Sequence, residues 1–350
     1  MDDGDIVEIV TKKEAQIRRQ NRAVLIIQPG AIGDCVQTLP LVEFLKKSLG
    51  VGSVRMMGRT DYIDIFCGRT SIDRVRSIDS VDLHKLFVEP NNFELTDDDS
   101  LINDFAGCEH IVTFLKDSGG SFEQNLIYTA NCSSGCEVTT LKLKPNPDSR
   151  EPVSNFYIQQ FINDNPGLDL SSEFELNRPF IDASQGDIFA GKKLLQSAGC
   201  DETKKTAVIS VGSGGKHKCW HLDNFYSMAD SLVDRDIEVL FLLGPAEMDR
   251  LDNRELDRLG VVGRCLWNLT LTEAVQLISC SDCFVGNDSG VTQLAGALGK
   301  KTMAIFGPTN AAIYRPLGPS VKTIEFEDYE FSQPSSSATR AVLADVLLFL

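Results

Sequence analysis

The feature that most constrains the fold is a recurring unit in which a short apolar run meets a glycine-containing turn and a segment with helical spacing follows. The first run, 23–27, stops at Gly30, and another, 206–211, opens into a turn with glycines at 212, 214 and 215. Uninterrupted apolar strands are typical of parallel sheets that are covered on both faces. The pattern therefore predicts an α/β protein. Further strands are predicted at 53–57, 110–114, 238–243, 282–286 and 302–306.

The length of 350 residues favours two domains, because domains commonly span about 100–200 residues. Strands and helices alternate in both halves, which predicts two doubly wound, Rossmann-like domains. We set the boundary in the Pro- and Gly-containing stretch after residue 165, giving domains 1–175 and 176–350. A final helix at 338–350 is free to pack back on the N-terminal domain, and 1–20 is expected to be a frayed tail or short helix.

Charge and composition exclude several partners. There are 34 basic and 50 acidic residues, a net charge of −16, so nucleic acid and an anionic membrane surface are poor partners. No run approaches the roughly 18 apolar residues of a membrane span, and the acidic start does not resemble a signal peptide. We expect a cytoplasmic protein with at most peripheral membrane contact.

The cysteines and histidines point away from a metal site. Ten cysteines without a secretory signal favour free thiols, and four histidines are too few for a histidine-rich site. Cys280 and Cys283 have CxxC spacing, which is compatible with zinc or redox chemistry but also with packing of small side chains before a strand. We expect no metal.

The first candidate site is the turn from Gly30 to Asp34, with a second glycine at Gly33. It joins the end of a strand to a helix N-terminus, where backbone N–H groups and the positive end of the helix dipole gather. Asp34 can cap the helix, or it can act as a general base toward an attacking hydroxyl. Spacing alone leaves both open.

Two further turns lie in the C-terminal half. The glycine-rich turn that begins at 212 continues through Lys216, His217 and Lys218, and forms either a phosphate clamp or a basic surface loop. The turn at 286–292 precedes a helix, so the N–H groups of residues 289–292 could bind an anion. Asp288 would repel that anion unless it faces a hydroxyl or caps the helix, and capping alone would also explain this turn.

Together these segments resemble the ADP-heptose:lipopolysaccharide heptosyltransferases of glycosyltransferase family 9, which have the GT-B fold. The resemblance rests on 25–34 with Leu39-Pro40, on 212–220 followed by 242–247, and on 285–290 followed by 294–299 and 304–309. It implies two Rossmann-like, doubly wound domains that face a central cleft. The N-terminal domain would bind the acceptor and the C-terminal domain the nucleotide-sugar donor.

The resemblance also implies a reaction. This is an inverting transfer of a sugar, such as heptose from ADP-heptose, to a hydroxyl of a glycan or a lipopolysaccharide-like glycolipid, without metal or another cofactor. Asp34 matches the catalytic base, Lys218 the lysine that holds the diphosphate, and Glu247 the acid at the ribose. The expected donor-binding residues are Ser213, Lys218, Glu247, Asp288, Ser289, Gly290, Val291, Thr292 and Gln293, with Gly30 and Gly33 forming the glycine turn beside Asp34.

One position departs from the family pattern. The DxGxxH motif begins at Asp288 and Gly290 but ends in Gln293, which donates a hydrogen bond but carries no charge. Lys216, His217 or Lys218 could supply the missing charge. The departure keeps open the alternative of a catalytically weakened GT-B protein that binds a nucleotide or glycan. A third, more remote alternative is a GT-B epimerase that acts on a nucleotide sugar. Residues 1–170 contain 17 basic and 26 acidic residues. Enzymes that glycosylate phosphorylated lipid cores tend to offer a basic face to the acceptor, so the sequence does not identify the acceptor.

Overall fold

The computed structural model describes residues 22–133, 135–168 and 174–350, and the chain divides into two compact units. The predicted boundary placed 145–153 in the first domain, whereas this segment belongs to the second unit. There the side-chain amide of Asn310 donates to the carbonyl of Ser149 at 3.2 Å. The tail or helix predicted for 1–20 lies outside the described residues. The first unit comprises Met1–Lys144 and Ser154–Phe174, and the second comprises Pro145–Val153 and Glu175–Leu350.

The first unit is built on a parallel sheet. The central strand is a fully buried apolar run, as the sequence predicts. The strands are β1 (Ala23–Ile27), β2 (Ser53–Gly58), β3 (Arg74–Ser77), β4 (Cys108–Thr113) and β5 (Glu137–Thr140), in the order β3-β2-β1-β4-β5. The helices are α1 (Ile32–Gln37), α2 (Leu39–Leu49), α3 (Thr60–Ile63), α4 (Ser100–Phe105), α5 (Ser121–Asn131) and α6 (Val153–Asp164).

The second unit repeats this design with a longer parallel sheet. Its strands are β6 (Thr206–Ser210), β7 (Glu238–Leu243), β8 (Arg264–Trp267), β9 (Cys283–Asn287), β10 (Lys301–Phe306) and β11 (Val321–Glu325), in the order β11-β10-β9-β6-β7-β8. Its helices are α7 (Gln185–Ser197), α8 (Leu222–Val233), α9 (Pro245–Met248), α10 (Asn253–Val262), α11 (Leu271–Cys280), α12 (Gly290–Ala297), α13 (Ala311–Tyr314), α14 (Asp328–Ser332) and α15 (Ser336–Phe349).

Both strand orders are those of a doubly wound Rossmann sheet. The order of the strands reverses between β1 and β4 in the first unit and between β6 and β9 in the second. In such sheets, ligands bind in the crevice outside the carboxyl ends of the strands at this reversal. The turns singled out in the sequence follow β1, β6 and β9, so each lies at a reversal point.

The final helix packs on the sheet of its own unit. Val342 and Val346 of α15 are fully buried in a cluster that contains Trp220, Phe225 and Phe241. The apolar face of this helix therefore completes the core of the second unit. The sequence had left it free to pack back on the N-terminal domain.

The strands that the sequence did not predict lie at or near the sheet edges. They are β3, β5, β8 and β11. Their residues alternate between exposed and half-buried positions or are mostly half-buried. An edge strand has a neighbour on one side only and does not need the continuous apolar run that marks a central strand.

The burial of His110 in the first unit predicts how the unfolding free energy depends on pH. Its side chain is buried, with Nε2 2.7 Å from the Thr139 hydroxyl, and burial lowers its pKa from 6.5 to about 4. The unfolded chain therefore binds a proton below pH 6.5 that the folded chain does not. In urea titrations, the unfolding free energy should fall by about 2 kcal/mol more for the wild type than for His110→Asn between about pH 7.5 and 5. Equal pH dependence of the two proteins would contradict this.

Candidate active site

The two C-terminal turns form one site, because β6 and β9 are neighbours and their carboxyl ends lie side by side. The hydroxyl of Ser213 donates to the backbone carbonyl of Asp288 at 2.6 Å. The Lys218 Nζ donates to Asp288 Oδ2 at 2.8 Å. Residues that are 70 or more positions apart in the sequence are thus joined by direct hydrogen bonds.

The ion pair of Lys218 and Asp288 balances the negative charge that Asp288 brings to the turn at 286–292. The Asp288 side chain is 10% exposed and that of Lys218 is 31% exposed, so the ion pair is partly shielded from water. With its charge balanced, Asp288 no longer opposes an anion. An ammonium group has three donors, and the lysine also lies 6.0 Å from the centre of the Tyr314 ring.

Ser213 holds the two turns together. Its hydroxyl has one proton, and that proton is donated to the Asp288 carbonyl. The oxygen retains its capacity to accept. In this structure Ser213 therefore acts as a link between the loops after β6 and β9, whereas the resemblance implies a hydroxyl beside the donor phosphates.

The predicted anion-binding turn is a capped helix N-terminus. The Ser289 Oγ accepts from the Thr292 N–H at 3.4 Å and lies 2.9 Å from the Thr292 hydroxyl, which donates to the carbonyl of Asn287 at 2.6 Å. Thr292 is fully buried, so its predicted contact with an anion is not available here. The N–H groups of Gly290 and Val291 are in the first turn of α12, where a helix provides no internal acceptor.

Gln293, at the place of the family histidine, is buried and donates from Nε2 to the carbonyl of Tyr314 at 2.7 Å. This bond fixes the end of α13, whose tyrosine ring faces Lys218. The amide therefore positions the segment beside the lysine.

Glu247 is buried next to the glycine-rich turn. Its Oε2 accepts from the Gly244 N–H at 2.9 Å, and Gly212 also donates to the carboxylate. Burial raises the pKa of this carboxyl, while the backbone donors and Arg250 oppose the shift. A Cβ at residue 212 would lie 1.8 Å from Glu247 Oε1, so this carboxylate requires a glycine there.

Two residues that sequence reasoning missed shape the turn after β6. Asn287 is fully buried and bridges the strands: its Oδ1 accepts from the Trp220 N–H at 2.9 Å and its Nδ2 donates to the Val211 carbonyl at 2.8 Å. Arg250 donates to two carbonyls of the glycine-rich turn. A polar side chain at the last position of a buried apolar strand was the available signal for Asn287.

A cavity of about 870 Å³ opens beside this turn. Its lining combines apolar side chains with positively charged side chains and carboxylates. Its lining includes Trp220, Leu251, Phe331, Lys216, Glu247 and Arg250.

The turn after β1 has a related construction. Asp34 lies in the first turn of α1, and its Oδ2 accepts from the Ala31 N–H at 3.0 Å. A Cβ on Gly30 would lie 2.6 Å from that of Asp34, so the close approach requires a glycine. Gly33 is the second residue of the helix. The capping role is therefore present, and the residue is half-buried.

Comparison with known proteins decides the family. The family model described as "Glycosyltransferase family 9 (heptosyltransferase)" matches residues 153–340, more than half of the chain. The chain belongs to glycosyltransferase family 9. It is 23% identical over 305 residues, covering 82% of this chain and 84% of the relative, to the lipopolysaccharide heptosyltransferase 1 of Campylobacter coli.

Solved structures agree on the fold. The E. coli ADP-heptose lps heptosyltransferase II is similar at a TM-score of 0.64 and 16% identity, over 93% of this chain and 98% of that one. The E. coli heptosyltransferase WaaC with ADP gives 0.63 and 14%, over 94% and 100%. A family 9 glycosyltransferase from Veillonella parvula gives 0.64 and 15%, over 89% and 87%. The predicted GT-B class, with two Rossmann-like parallel sheets, is confirmed.

The predicted enzyme class is also confirmed: this family 9 member is a glycosyltransferase of the heptosyltransferase type. Family membership favours sugar transfer over the two alternatives, a nucleotide- or glycan-binding protein and an epimerase. The assignment of roles to individual residues stays a prediction.

The cysteines of this glycosyltransferase are free thiols, and those with CxxC spacing pack against neighbouring elements. Cys283 is fully buried, which raises its pKa to about 12, and the Cys280 thiol donates to the carbonyl of Ile188 at 3.1 Å. Among the described residues, no cluster of three or more His, Cys, Asp or Glu side chains could hold a metal ion. Within the same ranges, no helix combines the length and apolarity that crossing a membrane requires.

The contact between Gly212 and Glu247 gives a paired test. Gly212→Ala should displace the buried carboxylate and lower the unfolding free energy by about 1–3 kcal/mol, the usual range for overpacking. Gly214→Ala is the control, because a Cβ there meets nothing within 4 Å, and it should change stability by less than about 0.5 kcal/mol. Urea titration measures both, and equal effects would show that the carboxylate does not require a glycine at 212.

Proposed function

We propose that this glycosyltransferase moves heptose from ADP-heptose to a hydroxyl of a lipopolysaccharide-like glycolipid. Family membership supports the transferred sugar, and the names of the relatives support the donor and the acceptor. The observation that carries the proposal is the ion pair of Lys218 and Asp288 at the reversal point of the second sheet. It puts a lysine with spare donors where such sheets bind phosphorylated ligands.

The donor diphosphate is bound by Lys218 and by the first turn of α12. Gly290 and Val291 supply N–H groups, and the helix dipole adds partial positive charge. Ser289 and Thr292 contribute by capping the helix, and Asp288 by holding the lysine. Gln293 supports the lysine indirectly through Tyr314.

Glu247 and Ser213 complete the donor side of the proposal. The Glu247 carboxylate adjoins the glycine-rich turn and can accept from ribose hydroxyls in addition to its backbone donors. Ser213 keeps the loops after β6 and β9 at the separation that the diphosphate requires.

In the reaction, the acceptor oxygen attacks the anomeric carbon while the bond from that carbon to the β-phosphate oxygen breaks, so the configuration inverts. The Asp34 carboxylate takes the proton of the acceptor hydroxyl in the transition state. ADP leaves with added negative charge, which Lys218 and the α12 N–H groups stabilise. These groups supply the positive charge needed, so the proposal includes neither metal nor another cofactor.

We place the enzyme in the cytoplasm, touching the membrane at most peripherally to reach a glycolipid. The ten free cysteines support this, because a reducing compartment keeps thiols unpaired. The net charge of −16 argues against nucleic acid as a partner.

Lys218→Ala tests the donor site. It removes a charged donor and leaves Asp288 unpaired beside the diphosphate, so the affinity for ADP should fall by about 1.5–3 kcal/mol, measured by calorimetry. Lys192→Ala is the control: it removes the same charge from an exposed position of α7 and should change the affinity little. Unchanged binding by Lys218→Ala would remove this lysine from the site.

Asp34→Asn tests the base. An Asn oxygen can still accept from the Ala31 N–H, so the variant should fold normally and bind ADP as the wild type does. Heptose transfer, assayed with a chelator present, should fall by about 10²–10⁴-fold, the usual effect of removing a general base. Transfer at the wild-type rate would show that another group takes the proton. Loss of wild-type transfer in chelator, restored by magnesium, would show that a metal is required.

A further inference from the structure

Arg250 grips the glycine-rich turn from one side. It follows α9, and its guanidinium donates to the Ser213 carbonyl at 2.6 Å and to the Gly214 carbonyl at 2.9 Å. A planar guanidinium has a rigid fork of donors, so two bonds to consecutive carbonyls fix the orientation of both peptide groups.

Because peptide groups are planar, the two hydrogen bonds from Arg250 also set the direction of the N–H groups in the same peptides. In a trans peptide the carbonyl of one residue and the N–H of the next point in opposite directions. Because the carbonyls of Ser213 and Gly214 face Arg250, the N–H groups of Gly214 and Gly215 face away from it. The part of the chain that the structure describes gives neither N–H a hydrogen-bond acceptor.

The glycine at 214 suits the approach of an anion, while the glycine at 215 leaves room for the His217 ring, whose Cε1 lies 2.7 Å from where a Cβ would be. Gly214 has open space around its Cα, since a Cβ there would meet nothing within 4 Å. Successive backbone N–H groups that point to one side of a glycine-rich turn form a concave anion site of the kind used for phosphate. The glycine-rich turn that carries Lys218 thus has two backbone N–H donors that point to one side.

We propose that Arg250 is a positioning residue that presents the N–H groups of Gly214 and Gly215 to the donor diphosphate. It acts from the opposite side of the turn, through the peptide planes, and does not itself touch the phosphates. The inference rests on the proposed function, since it assumes a nucleoside diphosphate at this site.

The test compares ligands with and without phosphates. Calorimetry is run with ADP and with adenosine on the wild type, Arg250→Ala and Arg250→Lys. For Arg250→Ala we expect ADP affinity to fall about 10- to 100-fold, as expected for loss of one or two hydrogen bonds to a charged ligand, and adenosine affinity to fall less than about threefold. Arg250→Lys should fall between the wild type and Arg250→Ala, because an ammonium cannot reproduce the planar fork.

Chemical rescue separates positioning from a general loss of structure. Arg250 lines the cavity of about 870 Å³, so free guanidinium can enter the space that the alanine leaves. Millimolar guanidinium should restore part of the ADP affinity of Arg250→Ala and none of that of Lys218→Ala. Arg254→Ala is the matched control, since it removes the same charge from an exposed position of α10 and should leave both affinities unchanged.

The outcomes are distinct. A wild-type protein that does not bind ADP would overturn the proposed function and this inference together. Normal ADP binding by Arg250→Ala would overturn the inference and leave the proposed function intact. Equal losses for ADP and adenosine, or no rescue by guanidinium, would show that Arg250 does not act through the phosphate-facing N–H groups.

Discussion

The candidate site depends on the pairing of β6 with β9. This pairing puts the ends of two strands side by side, and three polar contacts then fasten their loops: Ser213 to the Asp288 carbonyl, Lys218 to the Asp288 carboxylate, and Asn287 to the Val211 carbonyl. Without these contacts, the lysine would belong to a basic surface loop. An unpaired carboxylate 4 Å from a phosphate charge would repel it by about 4 kcal/mol at an effective dielectric constant of about 20. The ion pair therefore decides whether the turn can accept an anion.

Each unit contains a carboxylate that packs against a glycine. Asp34 accepts from the Ala31 N–H and occupies the space that a side chain on Gly30 would need, and Glu247 does the same toward Gly244 and Gly212. In each case the acid caps the first turn of a short helix and also fixes the preceding loop. The glycines matter here as much for the room they leave to a carboxylate as for a ligand.

Gln293 is neutral, whereas the family histidine can carry a positive charge. This replacement nevertheless changes the electrostatics of the site little. The amide donates to the Tyr314 carbonyl, a contact that needs a donor and no charge. The positive charge in contact with Asp288 comes from Lys218, and the order of the turn around it comes from neutral contacts and from Arg250. A neutral side chain at this position is therefore compatible with an anion site.

The central strands, the turns that follow β1, β6 and β9, and the family could all be predicted from the amino-acid sequence. Buried parallel strands need continuous apolar runs, and turns at their ends need glycine and polar residues, so both leave a local signal. The edge strands, the membership of 145–153 in the second unit, and the packing of α15 on its own sheet left no such signal, because long-range pairing decides them. The same holds within the site: Lys218 and Asp288 were recognised separately, while Arg250 and Asn287 were missed. Their roles consist of hydrogen bonds to backbone atoms 36 to 76 positions away, and only the tertiary structure brings those atoms within reach.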